Sequence, residues 1–220
     1  MILEAKNLVK KYKRGEEEFY AVDHVSFSLE EGSFNVIMGE SGCGKSTLFH
    51  LLTGMCKTDE GTISFQGRNL TNISTKEMAK LRSTDIGYIL QGQNLLYNFN
   101  IGENICMPGY LGVMSPDMSD YAKQLLEEFG LGGMEKEMPG SLSGGEQRRV
   151  AIARTLVHRP KLIIADEPTS NLDSKNREII LGYLKMITKK GVSVLISTHD
   201  QEAGVYGDII WHMDKGVLTS

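Results

Sequence analysis

Gly39-Glu40-Ser41-Gly42-Cys43-Gly44-Lys45-Ser46-Thr47 is the stretch that decides the fold of this 220-residue chain. It follows the apolar run Phe34, Val36, Ile37, Met38 and precedes Leu48-Phe49-His50-Leu51-Leu52. Strand, glycine-rich turn, helix is the setting that a G-x-x-x-x-G-K-[ST] phosphate loop requires. A triphosphate presents several negative oxygens, and a loop wraps them only if successive backbone N–H groups point inward. Gly39, Gly42 and Gly44 permit that backbone path and a close approach. A helix starting near Lys45 adds unpaired N–H donors and a positive dipole end. Residues 39–47 are therefore expected to hold a nucleoside triphosphate, with Lys45 on the β- and γ-phosphates and the Ser46 hydroxyl on Mg²⁺.

Outward from this loop, strands and helices alternate. Residues 2–12 and 19–29 read as two strands separated by the polar turn Lys13 to Glu18, with Val22, Val25, Phe27 and Leu29 on the apolar side of the second. Further strands are expected at 34–38, 62–65, 86–90, 162–165 and 192–197, with a closing strand at 209–213. Helices are expected at 75–81, 119–129, 174–189 and 201–206. On the helix over 119–129, Tyr121, Leu125, Leu126 and Phe129 share one face. Such alternation predicts an α/β fold with a mostly parallel sheet covered on both faces. An antiparallel β region precedes it, and a helical insertion at about residues 92–156 interrupts it. The expected organisation is one domain over 1–220, with 1–91 and 157–220 as the core and 92–156 as the helical part.

Charged residues make up 24% of the chain and hydrophobic ones 40%, ordinary for a globular protein, and the net charge of -4 argues against a general nucleic-acid binder. No apolar run approaches the ~18 residues that suggest a membrane span. Met1 to Lys6 lacks the layout of a secretory signal. Cys43, Cys56 and Cys106 have no metal-ligand spacing and read as reduced thiols in a cytosolic protein.

Leu162-Ile163-Ile164-Ala165-Asp166-Glu167 is a buried-strand pattern ending in two carboxylates, which such a strand delivers to the edge where the phosphate loop lies. Asp166 is then placed to hold Mg²⁺, and Glu167 to polarise an attacking water. Leu142-Ser143-Gly144-Gly145-Glu146-Gln147 opens a helix expected to run Arg148 to His158. Ser143 with Glu146 three residues on matches a capping box. The glycine pair exceeds what capping needs and suits a second anion-binding helix N-terminus.

L-S-G-G-E-Q together with the phosphate loop, the strand-terminal Asp166-Glu167, Gln91 after one strand and His199 after another resembles the nucleotide-binding domains of ABC transporters. The resemblance covers the whole chain and implies the ABC ATPase version of the P-loop NTPase fold. It implies two such domains sandwiching two ATP molecules, each between one chain's phosphate loop and the other chain's signature segment. Ser143, Gly144 and Gly145 would then contact ATP bound by the partner. Gln91 would contact Mg²⁺ and the lytic water, His199 the γ-phosphate, and Asp173 would organise the dimer interface. Lys45, Gln91, Glu167 and His199 form the implied catalytic set, Ser46, Gln91 and Asp166 the Mg²⁺ set, and Tyr12 the aromatic that stacks on adenine.

The run Ala165 to Asp173, Ile86 to Gln91, Asn94-Leu95-Leu96 and Gly102-Glu103-Asn104-Ile105 resemble the lipoprotein-release, macrolide-efflux, antimicrobial-peptide-resistance branch of bacteria. Cys43 departs from the small hydroxyl residue usual there, and Thr58-Asp59-Glu60-Gly61 lacks a proline usual before that glycine. The implied partners are ATP, a second copy or a similar ATPase subunit, and an integral-membrane permease; no nucleic acid is implied. The protein would be cytoplasmic, held peripherally at the inner face of the cell membrane by the permease. Leu95, Leu96, Tyr97 and Phe99 are either the permease-docking groove or part of the core of the helical insertion. An alternative is a force-transmitting ATPase that regulates an extracytoplasmic cell-wall enzyme through its membrane partner. Cys43, in an anion-binding loop at a helix N-terminus, is expected to react readily with alkylating agents and to be protected by MgATP.

Overall fold

In the computed structural model, which describes residues 1–92, 95–112 and 115–220, two sheets share the work. The first is antiparallel. Strands β1 (Leu3–Arg14) and β2 (Glu17–Leu29) form a long hairpin, joined on the β1 side by β4 (Glu60–Phe65) and the short β5 (Arg68–Asn69), giving the order β2-β1-β4-β5. The hairpin is longer than the sequence pattern suggests. Both strands run through the polar residues flanking Gly15, so the turn shrinks to Gly15-Glu16. Its register slips between Ala5 and Leu8, near Asn7, whose φ is 50°; His24 on the other strand has φ 51°. Such a bulge re-phases a strand. That is how Val22, Val25, Phe27 and Leu29 are all buried although their spacing is not strictly alternate.

The second sheet has the order β10-β9-β3-β8-β7-β6, with β3 (Phe34–Met38), β6 (Ile86–Ile89), β7 (Leu162–Asp166), β8 (Ser193–Thr198), β9 (Ile209–Asp214) and β10 (Val217–Thr219). All pairs are parallel except β9 with β10. Every residue of β7 and β8 is buried, as expected of strands covered on both faces. Strand β9 is not the closing strand that the sequence suggests. Lys215-Gly216, both at positive φ, turn the chain back into β10.

Helix α1 (Lys45–Leu52) follows the phosphate loop, and α2 (Thr75–Thr84) precedes β6. Between β6 and β7 lie α3 (Ile101–Leu111), α4 (Met118–Glu128) and α5 (Gly144–Leu156). Helix α5 starts four residues earlier than its apolar pattern indicates, because the Ser143 cap brings both glycines inside the first turn. Helix α6 (Ser174–Thr188) lies between β7 and β8, and a 3-10 segment (Gln201–Tyr206) precedes β9. Leu125, Leu126 and Phe129 of α4 and its end are buried, with Tyr121 packed beside them. One buried cluster is continuous from Val36, Ile163 and Ile196 of the sheet through α3, α4 and α5. The other joins the antiparallel sheet to α1 and the opposite sheet face.

Candidate nucleotide site

Parallel pairing brings the chemistry to one edge. Met38 is level with Thr198, and Asp166 with Ser197. The segments just beyond β3, β6, β7 and β8 carry the phosphate loop, Gln91, Glu167 and His199. A cleft of ≈ 600 Å³ opens there, lined by Ser41 to Thr47, by Tyr12, Phe19 and Tyr20 of the hairpin, and by Gln91, Glu167 and Lys215.

The loop is shaped by contacts that only glycine admits. A Cβ on Gly39 would stand 2.4 Å from the Met213 carbonyl oxygen, and one on Gly44 2.1 Å from that of Ala21. Gly44 also has φ 115° and caps α1 without any side-chain hydrogen bond. The turn after β9 clamps the loop from behind, with Gly216 N–H donating to the Cys43 carbonyl at 2.9 Å and Asp23 N–H to the Gly216 carbonyl at 2.9 Å. Lys45 is 5% exposed, and its Nζ donates to the carbonyls of Gly39 and Glu40 at 2.7 and 2.8 Å. The ammonium is thus held at the mouth of a ring of backbone, pre-positioned for an anion. Ser46 lies exposed beside it.

Cys43 departs from expectation. Its side chain is buried in the core under the loop, with Sγ 3.7 Å from Lys45 Nζ. The Cys43 backbone is also engaged, its N–H donating to the Glu40 carbonyl at 3.3 Å and its carbonyl accepting from Gly216 N–H, and a thiol turned inward is shielded from alkylating agents. The expected ready reaction does not fit this placement.

Beyond β7, Glu167 adopts φ 46°, a left-handed conformation uncommon for a residue with a side chain. Two bonds fix it there: Glu167 N–H donates to Ser197 Oγ at 2.9 Å, and Ser197 Oγ–H donates to Asp166 Oδ1 at 2.5 Å. The Glu167 carboxylate then faces two partners. Gln91 Nε2 donates to Oε2 at 3.1 Å, and His199 Nδ1 lies 3.3 Å from Oε1. Strand ends from β6, β7 and β8 converge on one carboxylate. Among the described residues no group of three or more His, Cys, Asp or Glu side chains forms a metal cage. The Ser46 hydroxyl, the Gln91 amide oxygen and the Asp166 carboxylate are hard oxygen donors of the kind Mg²⁺ takes when nucleotide phosphates supply further ligands.

Tyr12 is 40% exposed in the cleft with Phe19 at a ring distance of 6.1 Å. Burial and the neighbouring Cys56 raise its hydroxyl above the usual tyrosine range.

Ser143, Gly144 and Gly145 do not reach this cleft. Ser143 N–H and Oγ–H both donate to Glu146 Oε2 at 2.7 Å, and Glu146 N–H returns a bond to Ser143 Oγ at 3.4 Å. The capping box is formed in full. Ser143 and Gly144 are exposed, whereas Gly145 is buried, and a Cβ there would lie 2.7 Å from the Asn176 side chain. Asn176 also receives a hydrogen bond from Arg149 and donates to Asp173 Oδ2 at 2.6 Å. Asp173 is the N-cap of α6, accepting from Asn176 N–H at 2.8 Å, and these bonds hold its carboxyl below the usual range. A second hollow of ≈ 430 Å³ lies between the signature and the stretch before Asp173, lined by Gln91, Gly144, Arg148 and Asn171.

Sequence reading missed Arg148, Ser197, Lys215 and Gly216. Arg148 is 4% exposed and donates to the carbonyls of Pro168 (2.8 Å), Leu90 (2.7 Å), Gly92 and Glu167 (3.3 Å). Burial lowers its guanidinium to about 10, still charged at neutral pH. Nothing local in the sequence marks it. The Lys-Gly turn before Val217-Leu218-Thr219 is a hairpin signal that could have been read.

Leu95 is buried in the core, whereas Leu96, Tyr97 and Phe99 are 41%, 57% and 40% exposed. Leu95 thus leaves the set expected to dock a permease. Asn94, used for the branch resemblance, lies outside the described residues.

The ABC transporter family profile matches residues 22–170. An uncharacterized ABC transporter ATP-binding protein of Methanocaldococcus jannaschii is 39% identical over 219 residues, 99% of this chain and 98% of that protein. The lipoprotein-releasing system ATP-binding protein LolD of Buchnera aphidicola is 39% identical over 220 residues, 99% of this chain and 96% of that protein. The ATP-binding cassette MJ0796, solved as a dimer in a post-hydrolysis state with ADP and Pi, superposes with a TM-score of 0.91 at 34% identity, covering 100% of this chain and 98% of that one.

Proposed function

This chain belongs to the ABC transporter family as an ATP-binding and ATP-hydrolysing subunit, and from that premise we propose how its residues work and what they drive. In this proposal two copies, or this chain and a similar subunit, close over two ATP molecules. Closure and reopening power export or extraction from the membrane through an integral-membrane permease. The kinship with LolD, a lipoprotein-releasing system ATP-binding protein, supports a lipoprotein as cargo, and the resemblance to the peptide-resistance and drug-efflux branch adds peptides and drugs as candidates. The solved dimer of MJ0796 supports the closure. No described helix is long and apolar enough to cross a membrane, so the membrane path would belong to the partner. Leu96, Tyr97 and Phe99 would meet that permease at the inner membrane face.

Within the site, residues 39–47 would wrap the phosphates, and Tyr12 would stack on the base. Ser46, Gln91 and Asp166 would hold Mg²⁺, which when bound neutralises phosphate charge. Glu167 would orient the attacking water and accept its proton, with Gln91 and His199 fixing the carboxylate. Ser143, Gly144 and Gly145 would face the partner's ATP, beside Asp173.

One observation carries this reading: Glu167, braced by Ser197 and Asp166, faces both Gln91 and His199 at the edge of the phosphate-loop cleft. Its test is the oligomeric state with MgATP of the wild type and Glu167→Gln, side by side. The variant is expected to bind ATP, hydrolyse at least about 100-fold more slowly and accumulate as a dimer. A variant that hydrolyses at the wild-type rate would remove Glu167 from the mechanism.

A further inference from the structure

The residue after His199 is anchored from α6. Arg177, one turn beyond the Asp173 cap, places Nη1 2.7 Å from Asp200 Oδ2 and 2.5 Å from Glu202 Oε2. The Arg177 and Asp200 side chains are 25% and 26% exposed, so their pair is shielded, whereas Glu202 is 75% exposed and adds little. Asp200 is held elsewhere too. Its Oδ1 accepts from Glu202 N–H at 2.9 Å, capping the 3-10 segment, and its own N–H donates to Thr198 Oγ1 at 3.0 Å. The flanks of His199 are therefore fixed, although the imidazole itself is exposed and leans on Glu167 at 3.3 Å.

We propose that Arg177 is a positioning residue for ATP hydrolysis: by holding Asp200 it aims His199 at Glu167. The proposal rests on the reading of His199 and Glu167 given above. Its physical basis is geometric. An exposed ring on a short link between β8 and the 3-10 segment keeps its direction only if the link is pinned on both sides. Thr198 pins one side from the strand, and Arg177 pins the other through Asp200. The anchor comes from a particular place. Helix α6 is capped by Asp173, and its first turn carries Asn176, against which Gly145 of α5 packs. The signature helix and the Asp173 cap thus meet on Asn176, and Asp200, the residue after His199, is held by the next residue, Arg177.

The test compares the full chain as wild type, Arg177→Ala, Arg177→Lys, His199→Ala and the Arg177→Ala/His199→Ala double variant. Readouts are kcat for ATP hydrolysis and equilibrium binding of radiolabelled ATP. Arg177→Ala is expected to lower kcat about 10-fold, a scale set by the sensitivity of catalysis to small misplacements, with ATP affinity unchanged. Arg177→Lys should recover most of that loss. In the His199→Ala background, Arg177→Ala should cost nothing further, since the ring it aims is gone. Losses that multiply in the double variant, or affinity falling together with kcat, would reduce Arg177 to a brace of the fold. If Arg177→Ala fails to fold, Asp200→Asn replaces it. That change keeps the Oδ1 cap but removes the charge Arg177 holds, and an undiminished kcat would overturn the proposal. His199→Ala at full kcat would instead strike the reading of His199 itself, an outcome visible in that variant alone.

Discussion

Two helices of this protein begin with glycine-rich turns, and they begin in opposite ways. At α1 the cap is Gly44, with φ 115°, no side-chain hydrogen bond to the first turn and no acidic residue within it. At α5 the cap is Ser143, and Glu146 folds back to fill the end with a carboxylate. An α-helix begins with N–H groups that lack intrahelical partners and with a positive dipole end. The first leaves them for a ligand and adds Lys45. The second arrives with an anion of its own chain. Glycine content alone therefore does not reveal whether a helix end stands open or already faces a carboxylate of its own chain. Even the glycines differ in purpose: Gly44 answers to the Ala21 backbone, Gly145 to the side chain of Asn176.

The contrast can be attacked from either end. The largest effect is expected at α1. Gly44→Ala combines a left-handed φ with a Cβ 2.1 Å from a carbonyl oxygen, a clash with backbone that cannot rotate away. It should cost about 3 kcal/mol or more and abolish ATP binding, read by thermal denaturation and ATP titration. Gly145→Ala should do less. Its Cβ would meet the movable end of Asn176, so about 1–2 kcal/mol is expected, again from Tm, with ATP binding retained. A wild-type Tm for Gly145→Ala would mean that Asn176 swings aside freely.

Ser143 separates capping from ligand contact. Ser143→Ala should lose about 1 kcal/mol of stability with the cap. Ser143→Asp restores a capping oxygen but brings a second negative charge. In the Glu167→Gln background it is expected to keep Tm and to lose ATP-dependent dimerisation, measured by light scattering. Dimers that persist would show that the α5 end never meets phosphate.

The smallest effect is a pH dependence. The two Ser143 bonds hold the Glu146 carboxyl below the usual range. A carboxyl lowered by folding stabilises fully above its unfolded pKa, about 4.3, and the contribution fades as pH falls through the folded value. The Tm gap between wild type and Ser143→Ala should therefore be constant near neutrality and narrow in acid below about pH 4. Because Glu146 is solvent-facing, the narrowing should be a fraction of the cap's worth.

What could be read in advance was what the chain encodes locally. The phosphate loop, the strand ending in Asp166-Glu167 and the Ser143–Glu146 box each lie within a few consecutive residues, and each is present as its spacing suggests. Residues whose work is set by distant partners stayed hidden. Cys43 looked like a loop thiol until the fold showed that its side chain packs inward under Lys45. Gly145 reads locally as an opening for a ligand, and the fold adds a second constraint on it, the Asn176 side chain that α6 brings beside it. Strand β10 and the Lys215-Gly216 turn clamp the phosphate loop from some 170 residues away, a distance no periodicity spans. The polar end of the long hairpin signals a turn in the sequence, whereas cross-strand pairs such as Tyr12 with Phe19 keep it extended.

Arg148 gives the fold a property of a different kind. Its single guanidinium donates to carbonyls after β6 and in the turn after β7, while its backbone belongs to α5. If any one of these segments frays, a buried cation and several buried acceptors lose their partners together, which is far costlier than losing one neutral bond. The three segments consequently open as one cooperative unit rather than in turn. The loops bearing Gln91 and Glu167 inherit the lifetime of the helix behind them, so local breathing at this sheet edge is suppressed until the signature helix itself comes away.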